Sequence, residues 1–451
     1  SGLVAEAKAR LAHRCSAEEQ AFLEAMIAGL SAQMHLATRF ADEARRMLSV
    51  ERDSAVKVRL AQIAAAANRV PAHPPTTFFE ALATILFMRE TTQALEGNGI
   101  SVYGHLDRIL FPFYERDIAE GRLTPDEARG LLAFFLARCD AAFGMREARN
   151  HVGTNTTVVI GGGDADGVPV FNEVTRMIFD VYREYALVDP KLNARVSSGH
   201  PEEFFRLLAE FSSTGSNVLS IFNDDVIIRA NAKMGKAVRD CRLYVGGGCQ
   251  ENVLENTEIN SRATMYMSLP GVLLMGFFPE RWDELARRDG FVVVPLHTAR
   301  TFEEFYAAFL RNLRSVIGAH VAARNRTEAE GARYNPCPLH SATISDCIER
   351  ARDMMAGGAR YSFGSVSLAG IGTLIDSLYA VKVVVFDQER LSLTRLRDIL
   401  AADFEGEEAL RQYIVNRIPK FGHGDPGMRE FSTRAFADVA RACSGYQNTR
   451  G

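Results

Sequence analysis

"TNTTVVIGG" (residues 154–162) is the stretch on which the fold turns. A β-branched apolar run ends in two glycines, and "GDADG" (163–167) follows at once. Such a run reads as a buried strand that stops in a turn. Outward from it, "LNARVSS" (192–198), "NVLSIFND" (217–224) and "RLYVGGG" (242–248) repeat the pattern. "GVLLMGFF" (271–278), "FVVVPLH" (291–297) and "AVKVVVF" (380–386) are further candidate strands. Stretches of helical period, such as "PEEFFRLLAEFSS" (201–213) and "TFEEFYAAFLRNLRSVIGAHVAARN" (301–325), separate several of them. The alternation predicts an α/β core with parallel strands. Polar residues stand just beyond several strands, at Gly161–Asp164, Asn223–Asp225 and Gly246–Glu251. The C-terminal ends of α/β strands are where such folds usually place chemistry, so the pattern reads as an enzyme rather than a scaffold.

Upstream of residue 69 the pattern is helical. "SAEE" (16–19) is a capping box ahead of an amphipathic run. "PAHPP" (71–75) interrupts, and "TTFFEALATILFMRETTQAL" (76–95) resumes as a strongly apolar helix. "LTPDEARGLLAFFLARC" (123–139) starts with Thr124 as N-cap and Pro125 in the first turn. The chain has 451 residues, enough for one large domain or two to three ordinary ones. A formal net charge of −4 without a dense Lys/Arg tract argues against nucleic acid or an anionic membrane as partner. No apolar run is long enough to span a bilayer, and the first residues lack a signal-peptide core. The seven cysteines are scattered without a C-x-x-C, a pattern that suits reduced thiols in a cytoplasm.

"YVGGGCQEN" (244–252) is the stretch richest in possible chemistry. Cys249 is either a small buried apolar residue in a glycine-rich turn or a reactive sulfur at a loop tip. Gly246–Gly248 permits a tight turn and close approach of another backbone. Glu251 lies two positions on, and in an extended loop i and i+2 share a side, so thiol and carboxylate could face one small substrate. A Cys–His nucleophile would need His151, His200 or His340 within hydrogen-bond reach, and none sits in a recognisable hydrolase context. "GGGDADG" (161–167) is neither a dinucleotide fingerprint nor a P-loop, and reads as a strand end whose turn is satisfied by Asp164 or Asp166. No H-E-x-x-H, Cys/His cluster or EF-hand loop is present, so no tightly bound metal is expected. In "AGGARYSFGS" (356–365), Tyr361 could line a pocket or pack with its hydroxyl bonded.

Seven segments taken together resemble the glycyl radical enzymes, the pyruvate formate-lyase-like superfamily with its dehydratase and lyase branch. They are "RVPAHPPTTFFEAL" (69–82), "LDRILFPFYERDIAEGRLTPDEA" (106–128), "IGGGDADGVPVFNEVT" (160–175), "IFNDDVII" (221–228), "GGGCQE" (246–251), the long block from Ser345 to Lys382, and "IPKFGHGDP" (418–426). Each is weak alone; seven in family order are specific. The resemblance implies a ten-stranded α/β barrel of two five-stranded halves wrapped in helices, over residues 69–451. Residues 1–68 would form an N-terminal helical region.

The resemblance also implies the chemistry. Cys249 would be the thiyl that abstracts a hydrogen atom from substrate carbon, and Glu251 the base that assists elimination of a C–O, C–N or C–S bond. Tyr361, His105, Arg195, Asn223 and Asp224 would contact a small polar substrate. A glycyl radical installed by a radical-SAM activating enzyme would be the cofactor. A cytoplasmic, anaerobic homodimer is expected. Radical decarboxylation, formate acetyltransferase-like acyl transfer and an inactive homologue or partner subunit are the alternatives. A single cysteine at this loop speaks against pyruvate formate-lyase itself, which uses adjacent cysteines. The family's R-V-x-G-[YF] radical motif is not found. "CSGYQNTRG" (443–451) is spaced like the Y-x-N-x-R-G-G segment that precedes the radical domain, so the radical glycine is expected outside these residues. Hydroxyl-eliminating members often carry an Asp where Ala263 stands; Glu255 or Glu258 could substitute.

Overall fold

The computed structural model describes residues 2–97, 102–144, 156–248, 250–260 and 265–450. The chain divides into two compact units, Ser1–Ile259 with Pro336–Ser362, and Asn260–Asn335 with Phe363–Gly451.

The first unit is built on four parallel strands in the order β1-β2-β3-β4: β1 (Val102–His105), β2 (Thr157–Gly161), β3 (Lys191–Val196) and β4 (Leu219–Asn223). Helices join them, as the alternating periods predict. Because side chains alternate along a strand, the sheet has two different faces. Val158, Ile160, Leu192 and Ala194 point into an apolar core with Leu106, Leu110, Phe179 and Phe204 from the connecting helices. Thr157, Asn193 and Arg195 occupy the alternate positions and bond an antiparallel hairpin, β5 (Tyr244–Gly247) with β6 (Glu251–Leu254). Buried polar residues sit at these positions because their donors meet backbone acceptors there.

Helix starts follow the sequence signals. Ser16 and Glu19 form the capping box, and Thr124 accepts from the Glu127 N–H while Glu127 accepts from Thr124. The N-terminal helices belong to the first unit, where Leu23, Met26 and Leu30 pack with Leu339 and Ile348.

The second unit is mainly helical. The long helix Phe302–Tyr334 packs with the helices Leu269–Phe277, Ile371–Val381 and Pro426–Ala442 through Phe305, Phe309, Leu273, Leu378 and Phe431. It also holds one parallel strand pair, β8 (Met265–Ser268) with β10 (Val366–Ala369). The short strands β7 (Glu258–Asn260) and β9 (Tyr361–Phe363) lie where the chain passes from one unit to the other.

Three expected strands are not strands. "GVLLMGFF" lies in the helix Leu269–Phe277, because Ser268 caps the Gly271 N–H and Pro270 stands in the first turn. An apolar run of this length does not reveal its period, so the cap decides. "AVKVVVF" continues the helix Ile371–Val381 into a π-helical turn, Lys382–Asp387, closed by a Lys382–Asp387 ion pair at 2.7 Å. "FVVVPLH" forms neither strand nor helix: Asn312 accepts from the Val294 N–H at 2.7 Å and donates to its carbonyl at 2.9 Å. One side-chain amide thus takes the place of a strand partner at that residue.

Candidate active site

The hairpin β5–β6 brackets the cysteine loop. Cys249 itself lies outside the described residues. Its neighbours Gly248 and Gln250 have φ of 37° and 81°, and the Gln250 N–H donates to the Gly247 carbonyl at 2.6 Å. Glu251 opens β6 directly across from Gly247. The glycines are required at least at Gly246, where a Cβ would stand 2.7 Å from Phe222 and 2.9 Å from the Asn193 amide. The hairpin therefore approaches the sheet as closely as bare backbone permits.

Under the hairpin lies a buried charge network centred on Arg195, which is 0% exposed. Its Nε and Nη2 bind the Asp224 carboxylate at 2.9 and 2.8 Å. Nη1 reaches His105 Nε2 at 2.6 Å and the Tyr244 carbonyl at 3.1 Å, and Nη2 also donates to the Arg242 carbonyl at 2.7 Å. All five guanidinium N–H donors thus have acceptors. Asp224 further accepts from the Tyr244 hydroxyl at 2.7 Å and the Gly163 N–H at 3.2 Å. The guanidinium lies 4.0 Å from the Tyr244 ring centroid.

The Arg195 contact fixes the tautomer of His105. A guanidinium can only donate, so Nε2 accepts and Nδ1 carries the proton, which it gives to Glu255 Oε2 at 3.0 Å. Burial, with Arg195 and Arg108 nearby, lowers the imidazole to about 4, so it is neutral at physiological pH. Glu255 is bound by His105 and Arg108 together. Burial raises its carboxyl, but those two partners outweigh burial and bring it down to about 2. Asp107 shows the opposite balance. Burial pushes it up to about 6 despite bonds from the Gly161 N–H at 2.8 Å and the Thr175 hydroxyl at 2.9 Å. The segment "LDR" (106–108) therefore supplies a core leucine, a carboxylate that pins the end of β2, and a cation for Glu255.

The structure brings His105, Arg195 and Asp224 together with the base of the hairpin. Asn223 is exposed, and its side chain caps the helix Asp224–Lys233 through the Val226 N–H. The Tyr361 hydroxyl donates to Asp240 at 2.8 Å and accepts from the Ala237 N–H at 3.0 Å, while its ring joins Cys241, Tyr244 and Leu254. Of the two alternatives for Ala263, which is outside the described residues, Glu255 is held as above. Glu258 pairs with buried Lys236 at 2.8 Å and accepts from the Leu254 N–H. His200 accepts from the Ser197 N–H at 3.1 Å and packs on Phe204; His151 lies outside the described residues. The turn at 161–167 is self-satisfied, with Asp164 accepting from the Asp166 and Val168 N–H groups. Asp107, Arg108, Lys191, Asn193 and Tyr244 were not singled out by sequence, although "LDR" (106–108) and the alternating "KLNAR" (191–195) mark the first four and Tyr244 opens "YVGGGCQEN". Among the described residues no group of three or more His, Cys, Asp or Glu could hold a metal, and no helix is long and apolar enough to cross a membrane.

A family model described as pyruvate formate lyase-like matches residues 1–451. Trans-4-hydroxy-L-proline dehydratase of Clostridioides difficile is 32% identical over 430 residues, covering 93% of this chain and 54% of that protein. Isethionate sulfite-lyase of Oleidesulfovibrio alaskensis is 26% identical over 430 residues, covering 92% of this chain and 51% of that protein. The chain thus spans about half the length of the curated relatives it matches. The solved structure of hydroxyproline dehydratase from Clostridioides difficile, with trans-4-hydroxy-L-proline bound, superposes with a TM-score of 0.89 at 29% identity, over 100% of this chain and 58% of that one. A structure solved for 1,2-propanediol dehydration in Roseburia inulinivorans gives 0.88 at 25% identity, with coverage of 100% and 58%.

Proposed function

This chain belongs to the pyruvate formate lyase-like family, and from that premise we propose that it carries the cysteine-loop half of a glycyl radical lyase. The observation that carries the reading is the hairpin. Its strands end at Gly247 and begin again at Glu251, flanking Cys249 in the sequence, and they are tied to the buried side chains of Asn193 and Arg195. A glycine-lined turn fits a sulfur that must meet both a radical donor and a substrate at close range. The glycyl radical, installed by a radical-SAM activating enzyme, supplies the acceptor for the Cys249 hydrogen atom. Cys249 then takes a hydrogen atom from a substrate carbon bearing a hydroxyl. Glu251 accepts the hydroxyl proton, and the electron-rich carbon radical expels the neighbouring group with its electron pair. The Cys249 S–H returns a hydrogen atom to the product radical, so the net change is elimination.

The relatives named above act on hydroxyproline and isethionate; a small polar substrate of that kind is proposed here too. In this reading the β1–β4 sheet is part of a ten-stranded barrel over residues 69–451, with residues 1–68 outside it. The protein works as a cytoplasmic homodimer. Arg195, His105 and Asp224 hold the hairpin, and Tyr361 and Asn223 stand at its periphery.

The test is anaerobic activation of the complete protein, including the segment that bears the radical glycine, with a relative's activating enzyme. A glycyl doublet in electron paramagnetic resonance and turnover of a hydroxylated substrate are expected. Cys249→Ala should keep the doublet and lose turnover; turnover surviving in that variant refutes the mechanism. Glu251→Gln separates base-assisted elimination from decarboxylation or acyl transfer, which would survive it. An absent doublet under conditions that activate the relative points instead to an inactive homologue or a partner subunit.

A further inference from the structure

Alternate residues of β3 meet alternate carbonyls of the chain through β5, in antiparallel order. The Arg195 guanidinium donates to Tyr244 O at 3.1 Å, the Asn193 amide to Gly246 O at 2.8 Å and the Lys191 ammonium to Gly248 O at 3.2 Å. The odd-numbered carbonyls on either side face the other way: Leu243 O, one residue before the ladder, accepts from the Glu255 N–H, and Gly247 O, within it, from the Gln250 N–H. One edge of β5 is thus paired within the hairpin, and its other edge is read by a ladder of side chains two residues apart. Thr157 of β2 adds a second donor to Gly246 O at 2.8 Å, and Ser220 of β4 receives the Gln250 amide at 2.8 Å.

Such a ladder selects register. Carbonyl direction alternates along a strand, so a slip of one residue turns the acceptors away from Lys191, Asn193 and Arg195. A slip of two puts a different residue at the tip. Asn193 bears the mark of this constraint: it is fully buried, and its Oδ1 has no hydrogen-bond partner. Turning the amide over would set Oδ1 against Gly246 O, so the donor orientation is kept although it strands the acceptor.

We propose that Lys191 and Asn193 are positioning residues that set the register of the cysteine hairpin, with Lys191 holding the carbonyl next to Cys249. The inference rests on the function proposed above for what the register serves, but not for the ladder itself. Neither residue needs to touch substrate. Lys191 lies half-buried at the start of β3, where a methionine can replace it without entering the apolar core.

The experiment has two arms. Hydrogen–deuterium exchange of the unactivated chain should show faster exchange in peptides from 242 to 255 for Lys191→Met and Asn193→Ala, with the helix Phe302–Tyr334 unchanged. Lys191→Arg, which keeps a cationic donor, should restore protection. In the activated protein, Lys191→Met should lower kcat roughly ten- to a hundredfold with KM within about twofold, as expected when a reacting group is misplaced by about 1 Å. Unaltered exchange and kcat in both variants would overturn the proposal. So would a Lys191→Met defect confined to KM, which would make Lys191 a substrate contact. If the wild-type protein never turns over while the exchange pattern appears as described, the lyase reading falls and the ladder stands.

Discussion

Asp224→Asn is the sharpest test of the buried network. Arg195 and Asp224 have side chains 0% and 2% exposed, and both carboxylate oxygens are used twice: Oδ1 by Arg195 Nε and the Tyr244 hydroxyl, Oδ2 by Arg195 Nη2 and the Gly163 N–H. An amide removes the negative charge and turns one acceptor into a donor. With its NH₂ toward Gly163 it faces two fixed N–H groups. With the NH₂ toward Tyr244, the hydroxyl can rotate to accept, but Arg195 Nε loses its partner. Either way a buried guanidinium is left without its counter-charge, which costs about 3–5 kcal/mol. Tyr244→Phe leaves the ion pair intact and removes one bond, for about 1 kcal/mol. Amide exchange of β3 in the full chain, read under increasing urea, isolates this unit. Trp282 is the single tryptophan and lies in the second unit, so its fluorescence does not report the change. A loss for Asp224→Asn no larger than for Tyr244→Phe would refute the argument, because the pair would then matter only as hydrogen bonds.

His105 and Asp107 should oppose each other in acid. His105 titrates at about 4 in the fold against an ordinary 6.5, so the unfolded chain binds the extra proton and stability is lost as pH falls from 6.5 to 4, by at most about 3 kcal/mol. Asp107 is raised to about 6 from 3.8, so its burial costs stability at neutral pH and the cost is relieved as pH falls through 6. His105→Gln should therefore gain stability relative to wild type between pH 6 and pH 4.5; a constant difference in urea midpoint would contradict the assignment. Gly161→Ala should cost about 2 kcal/mol or more, since φ is +68° and a Cβ would stand 2.6 Å from the Arg195 carbonyl; an unshifted melting temperature would count against it. Arg450→Gln should weaken the second unit by about 3 kcal/mol, because it removes the 2.7 Å bond to buried Glu328 and the 2.6 Å bond to the Phe363 carbonyl. Trp282 fluorescence under urea is the matching assay.

Much of this protein was legible along the chain because the governing interactions are local. The capping boxes at Ser16 and Thr124, three of the four strands of the parallel sheet (β2, β3 and β4, but not the four-residue β1) and the two-residue spacing of Cys249 and Glu251 all depend on neighbours within a few positions. The order of the seven family-like segments identified the superfamily for the same reason. Tertiary structure decided what local pattern leaves degenerate. "GVLLMGFF" and "AVKVVVF" are equally apolar as helix or strand, and Ser268 and the preceding helix Ile371–Val381 settle them. Arg195, His105 and Asp224 could be named as polar residues near strand ends. That their donors and acceptors are taken up by one another and by the hairpin follows only when segments 29 to 90 residues apart meet. The ladder from Lys191 to Arg195 is of the same kind. Its alternation is written in β3, but its meaning lies in carbonyls of β5 that no reading of β3 alone can reach.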